Sequence, residues 1–271
     1  MKLLQRISLI VALLPAAPLF AQFDFPPLFG AGPSMGGMSL ALADEGSVTS
    51  SVTALSRLKS NMVSVALRQD FMTEGMGYAA IAAALPTTAG NWTAAFTHYG
   101  NNDYGEQRLS LLYALPAKGP LTAGVGLHYL HSATADLHYT ANNLFTFSAA
   151  MCYSPSKEFV ISLGTYNPIA VKLNNGVRTP ALFSLGASYR LLNELLAAAE
   201  VEYSLKSYTS LRMGLQYSFL DNYSVRAGFN TQPVIYSFGF GIRWRHILID
   251  VAAQFHNVLG LTPNLTLLYS F

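Results

Sequence analysis

Six charged residues in the second half of the chain are the ones whose type and spacing could do chemistry: Glu200, Glu202, Arg212, Arg226, Arg243 and Asp250. Each falls in a segment of alternating apolar residues, on the face that is not apolar. Two carboxylates as near in sequence as Glu200 and Glu202 could share acid and base roles if their environments shifted their ionisation. No nucleophile or activating histidine accompanies them by spacing, so no catalytic residue is expected. A polar lumen site or selectivity constriction is a second use for inward charge. The third is an Arg–carboxylate ladder that fills an interior, since pairing is the tolerable way to bury charge. The ladder is the expectation adopted. His128, His246 and His256 lack ligand spacing, and the single cysteine, Cys152, excludes an internal disulfide framework. Cys152 is expected to be inert, and no metal or cofactor is expected.

Strands must hold those charges, and the alternation of residue types provides them. In Val234–Trp244 the even positions are Val234, Tyr236, Phe238, Phe240, Ile242 and Trp244, while the odd ones include Ser237, Gly239, Gly241 and Arg243. Leu211, Met213, Leu215, Tyr217 and Phe219 oppose Arg212, Gly214, Gln216 and Ser218. Tyr223, Val225, Ala227 and Phe229 oppose Ser224, Arg226 and Gly228. A period of two is the strand period. One apolar face backed by Gly, Ser, Thr and charge suits lipid outside and a polar interior. A soluble sandwich would carry Lys and Glu on its second face, which here is mostly small.

Composition agrees with a membrane wall. The chain is 51% hydrophobic and 11% charged, against about 25% charge in a soluble domain. A net charge of +2 gives no electrostatic case for nucleic acid. Lys2 and Arg6, the apolar run Ile7–Leu14 and the stretch Pro15–Ala21 read as an export signal, residues 1–21. Its apolar run is shorter than the roughly 20 residues of a helical span. Without helical spans, only a closed sheet satisfies the backbone in lipid.

The expected fold is therefore all-β: a transmembrane, antiparallel, up-and-down β-barrel over residues 61–271, preceded by a Gly-rich plug or periplasmic segment at 22–60. Fourteen strands are expected, near 61–69, 75–85, 91–99, 106–115, 121–131, 143–153, 158–166, 181–190, 195–204, 209–219, 223–230, 234–244, 246–256 and 263–271. Twelve result if the alanine-rich start, Tyr78 to Leu85, is not in the wall. Tight turns inside, longer loops outside and an even count place both termini in the periplasm, with the barrel in the outer membrane of a Gram-negative bacterium. Tyr189, Tyr203, Tyr223, Trp244 and Tyr269 sit near strand ends, as an interfacial girdle would. Leu265, Leu267, Tyr269 and Phe271 share the apolar face of the last strand. Ending on an aromatic residue, that strand resembles the closing strand of bacterial outer-membrane barrels, which implies a signal to the barrel-assembly machinery.

The run Gly30-Ala31-Gly32-Pro33-Ser34-Met35-Gly36-Gly37-Met38-Ser39, then Leu40-Ala41-Leu42-Ala43-Asp44-Glu45, resembles the N-terminal signature of the FadL-like and PorV/PorQ-like outer-membrane proteins of Bacteroidetes type. Shorter matches follow at Gly186–Arg190, Arg226–Phe229 and Ser237–Gly241. Two positions depart from the pattern: Val52-Thr53-Ala54-Leu55 replaces Asn-Pro-Ala, and Pro33 stands where arginine is usual. The departures argue against a conventional plug, and short outer loops argue against a large external ligand pocket. The resemblance thus implies a non-enzymatic accessory component of an envelope secretion or assembly machine, related to type IX secretion, with outer-membrane lipid and envelope proteins as partners. The alternative it implies is a FadL-like transporter of small hydrophobic molecules. A lateral gap, or a greasy cavity behind Met35–Met38, would favour transport.

Overall fold

A computed structural model describes residues 23–271 except 137–139, 175, 177, 206 and 221; the expected export signal lies outside the described residues. Among these, the strands are β1 (Met62–Gln69), β2 (Gly77–Pro86), β3 (Asn91–Gly100), β4 (Tyr104–Ala114), β5 (Leu121–Thr134), β6 (Asn142–Tyr153) and β7 (Phe159–Tyr166). They continue as β8 (Leu182–Arg190), β9 (Leu195–Ser204), β10 (Thr209–Phe219), β11 (Tyr223–Thr231), β12 (Val234–Trp244), β13 (Ile247–His256) and β14 (Gly260–Ser270). Each strand pairs antiparallel with its sequence neighbours, and β1 also pairs with β14 (Val63 opposite Tyr269), closing a fourteen-stranded barrel. The parity expected from sequence sets the wall: Phe238, Phe240 and Trp244 face outward while Ser237 is buried. The girdle residues named above are all outward, four at the end joined by short turns and Tyr203 at the opposite, loop end.

The twelve-strand alternative is set aside, because the alanine-rich start is β2. Its inward Tyr78, Ala80 and Ala82 pack against Leu28 and Phe29 of the N-terminal segment. Both faces of β2 are apolar for different reasons, which blurs the alternation. The expected contrast of long and short links holds only in part. At the loop end, three residues join β3 to β4 and two join β11 to β12, while residues 167–181 form the longest link.

The N-terminal segment runs inside the barrel, although its departures from the signature argued against a conventional plug. The turn end is closed by a short helix, α1 (Val52–Ser56), formed by the residues that replace Asn-Pro-Ala. Ser51 caps it by accepting from the Ala54 amide at 3.3 Å. Leu55, Val48 and Leu58 pack there on Met62, Ala114, Leu248 and Leu268. Burying each Leu or Val of this kind stabilises by about 1.5–3 kcal/mol. Pro33 opens a 3-10 turn (Gly32–Ser34), and its carbonyl accepts from Gln254 of β13 at 2.7 Å. At the loop end, the 167–181 link folds inward, so that Leu173 packs on Phe23 and Leu130. There β6 outruns β7: only Ser148–Tyr153 pair with it, and Asn167 donates to the Phe147 carbonyl at 2.9 Å before the chain turns into the lumen.

Candidate functional site in the lumen

Glycine on the inner face brings the plug into main-chain contact with the wall. A Cβ at Gly228 of β11 would lie 2.1 Å from the Gly36 nitrogen, and one at Gly239 of β12 would lie 2.3 Å from the Ser34 Cβ. Similar close approaches set Gly214 against Met35 and Gly186 against Ala41. Met35 and Met38 are fully buried with Ala31, Leu42 and Ala198. They fill the space where a greasy cavity would favour transport.

Beside this seat, Glu200 of β9 has a fully buried carboxylate that accepts from the main-chain amides of Leu40 (2.7 Å), Ser39 (3.2 Å) and Ala41 (3.4 Å). Arg212 of β10 bridges Glu200 at 3.5 Å and Glu202, and donates to the Gly37 carbonyl at 2.9 Å. The sequence Gly37–Ala41 is thereby held by both signs of one wall ion pair. Tyr208, just before β10, donates to Glu202 at 3.1 Å; burial and the nearby Glu202 charge raise its phenol above the usual range, keeping it a donor.

The other charges form separate pairs. Arg226 of β11 reaches Asp250 of β13 across Gly241, where any side chain would collide with the Asp250 carboxylate, and it donates to Gln216 at 2.8 Å. Arg243 sits at the turn end, partly exposed, and pairs with Glu45 of the plug at 2.8 Å. The six residues thus belong to three clusters, two of which reach into the N-terminal segment. A strand-only ladder could not be distinguished from this arrangement by parity, because parity assigns a face and not a partner.

On the far side of the lumen, between the N-terminal segment and β4–β8, a cavity of about 190 Å³ remains. Phe23, Phe25, Pro26 and Leu40 line it from the plug, and Leu112, Arg108, His128 and Tyr166 from the wall. Near the β6–β7 seam the lining reaches Ala149 and Thr165, which are on outward positions, Pro180 in the link and Leu182 at the start of β8. His128 is held between Ser110 and Ser148, each at 2.9 Å from a ring nitrogen. A serine therefore stands where a catalytic histidine would need a carboxylate. His256 instead accepts from the Val258 and Leu259 amides at 3.2 Å, and His246 stacks edge-on to Tyr269. Cys152 is buried on the inner face of β6, its sulfur 3.5 Å from the Ser154 hydroxyl. Arg108, His128 and Tyr166 were not singled out together by sequence; extending the inward parity to β4 and β7 would have found them.

The chain thus folds as a closed barrel of fourteen antiparallel strands, with its own N-terminal segment inside and a cavity beside that segment. Among solved structures, its neighbours are FadL-like outer-membrane channels. A mutant of the Pseudomonas putida monoaromatic hydrocarbon channel TodX matches with a TM-score of 0.70 at 12% identity, covering 92% of this chain and 99% of that one. A Pseudomonas aeruginosa FadL homologue matches at 0.67 and 12% identity, over 93% and 100% of the two chains. The Ralstonia pickettii toluene transporter TbuX matches at 0.62 and 11%, over 93% and 98%. No family model matches the sequence, and no curated protein matches it. The fold matches FadL-like barrels, and no sequence family supports the PorV/PorQ part of the resemblance.

Proposed function

We propose that the chain is a non-enzymatic channel of the outer membrane that passes small hydrophobic molecules. The observation that carries this reading is the cavity between plug and wall, with aromatic, Pro and Leu side chains on its plug side. The likeness of the fold to hydrocarbon channels supports it. An accessory role in type IX secretion draws no support from those neighbours. Molecules would enter past the inward-folded 167–181 link or the β6–β7 seam and leave when the plug shifts. Uptake of toluene by Gram-negative cells expressing the protein tests this. Faster uptake than in cells without it is expected, reduced severalfold by Leu112→Trp, which fills the cavity. Equal uptake with and without a correctly assembled barrel would sink the channel reading.

In this reading the turn end faces the periplasm with both termini. The outward face of Leu265, Leu267, Tyr269 and Phe271 then meets lipid and serves as the signal to the assembly machinery. Phe271 lies one residue beyond β14, exposed, its amide donating to the Asn61 carbonyl at 2.9 Å. Phe271→Glu should lower the amount of assembled barrel severalfold. Unchanged yield and heat-modifiable migration on gels would remove the assembly role.

A further inference from the structure

We infer that the β12–β13 corner binds the phosphate headgroup of an anionic glycerophospholipid through Arg245 and His246, with the acyl chains lying on Trp244, Tyr269 and Phe271. The site rests on the outer-membrane setting of the barrel and is independent of what passes through it. Only Arg245 and His246 join β12 to β13. Arg245 holds φ at +53°, the left-handed region that such tips usually give to Gly, Asn or Asp because a larger side chain is strained there. A cation occupies the tip against that strain, and backbone strain of this kind marks functional positions. The Arg245 guanidinium carbon lies 6.0 Å from the Trp244 ring centroid, and the side chain forms no ion pair among the described residues.

Depth and direction select the occupant. Trp244 is exposed on the outward face at the turn end, where an indole marks the boundary between lipid chains and headgroups. A guanidinium held against that ring stands at headgroup level, where a cation attracts anionic lipid. His246 turns the same way. Its ring stands edge-on to the outward Tyr269 with centroids 6.3 Å apart, and Tyr269 stacks on Phe271 at 5.8 Å. The tip is pinned to β14, since the His246 carbonyl accepts from the Ser270 amide at 2.8 Å and from its hydroxyl at 3.3 Å. The neighbouring cation, Arg243, is taken by Glu45 of the plug, which leaves Arg245 to the lipid side. A guanidinium fork matches two phosphate oxygens, and the imidazole N–H reaches a third. A soluble acidic protein would have to cross lipid to reach a face made of Trp244, Tyr269 and Phe271.

The test uses the full-length barrel purified in a non-ionic detergent. Phosphatidylglycerol and phosphatidylcholine are added together in equal amounts, and bound lipid is read by native mass spectrometry. The wild type should retain phosphatidylglycerol about fivefold over phosphatidylcholine, the effect of one cation at an anionic surface. Arg245→Gln should abolish that preference. Lys157→Gln, which removes an exposed cation of the β6–β7 turn, should keep it. Arg245→Asn should also lose the preference, yet unfold in lipid-free detergent at a temperature no lower than the wild type, because asparagine tolerates the left-handed tip. A lower unfolding temperature would make Arg245 a structural residue and overturn the site. So would a wild type without preference, or an equal loss in Lys157→Gln. Binding of poly-glutamate through Arg245, with no lipid preference, would assign the corner to an acidic protein instead. Toluene uptake should be the same in Arg245→Gln as in the wild type, so the lipid site and the channel reading stand or fall separately.

Discussion

Replacing Glu200 by alanine should release the plug from its seat while leaving the barrel wall paired. The buried carboxylate is the acceptor for three consecutive amides, Ser39 to Ala41, and one of the two carboxylates that neutralise Arg212. Its loss strands those amides and leaves Arg212 to Glu202 alone. Removing one member of a buried ion pair costs about 3–5 kcal/mol, against about 0–1 kcal/mol for an exposed pair. Arg243→Ala, which breaks only the exposed contact to Glu45, is therefore the control. The measurement is thermal unfolding together with thiol labelling at Leu40→Cys, a buried position on the held segment. Labelling should rise sharply in Glu200→Ala and stay low in the Arg243→Ala control. Equal labelling in the two would mean that Glu200 does not hold the plug.

Gly228→Leu should open the barrel to ions. A Cβ at this position meets the Gly36 nitrogen at 2.1 Å and the Met35 carbonyl carbon at 2.4 Å, both main-chain atoms that cannot swing aside. Overpacking a core costs about 1–3 kcal/mol when side chains can adjust; here the plug itself must move. The adjacent outward residue Ala227 pairs across to Leu215 and Phe238 on the lipid face. Ala227→Leu adds the same bulk without touching the plug. Conductance across planar bilayers should rise in Gly228→Leu and remain at the wild-type level in Ala227→Leu. A closed Gly228→Leu barrel with native stability would show that the glycine floor is not what admits the plug.

Much of the architecture was legible in the residues alone, because a strand whose two faces meet lipid and a polar interior must alternate. That requirement placed Glu200, Glu202, Arg212, Arg226, Arg243 and Asp250 on the inner face, and made the wall apolar from Leu211 to Phe255. It weakened wherever the plug supplies a second apolar surface, which is why the alanines of β2 read poorly. The motif glycines Gly186, Gly228 and Gly239 were visible as a pattern, but their purpose was not. Only the backbone of residues 34–41 lying against them explains the missing side chains.

Partners were out of reach for the same reason. Strand period says which way a side chain points, whereas an ion pair also depends on register, on neighbouring glycines and on what crosses the lumen. Arg226 finds Asp250 two strands away, Arg243 finds Glu45 in the plug, and Arg108 finds no carboxylate among the described residues. The two departures from the family signature put a conventional plug in doubt and left 22–60 as a plug or a periplasmic segment. In the fold they instead form its closing helix and the turn that meets Gln254. Sequence by itself determined the barrel and the face of each charge, since those follow from local alternation and the demand for a closed sheet, and left the count between twelve and fourteen strands. The tertiary structure decided where the plug sits, which charges hold it and where space is left beside it, since those depend on contacts between residues as far apart as Leu40 and Glu200.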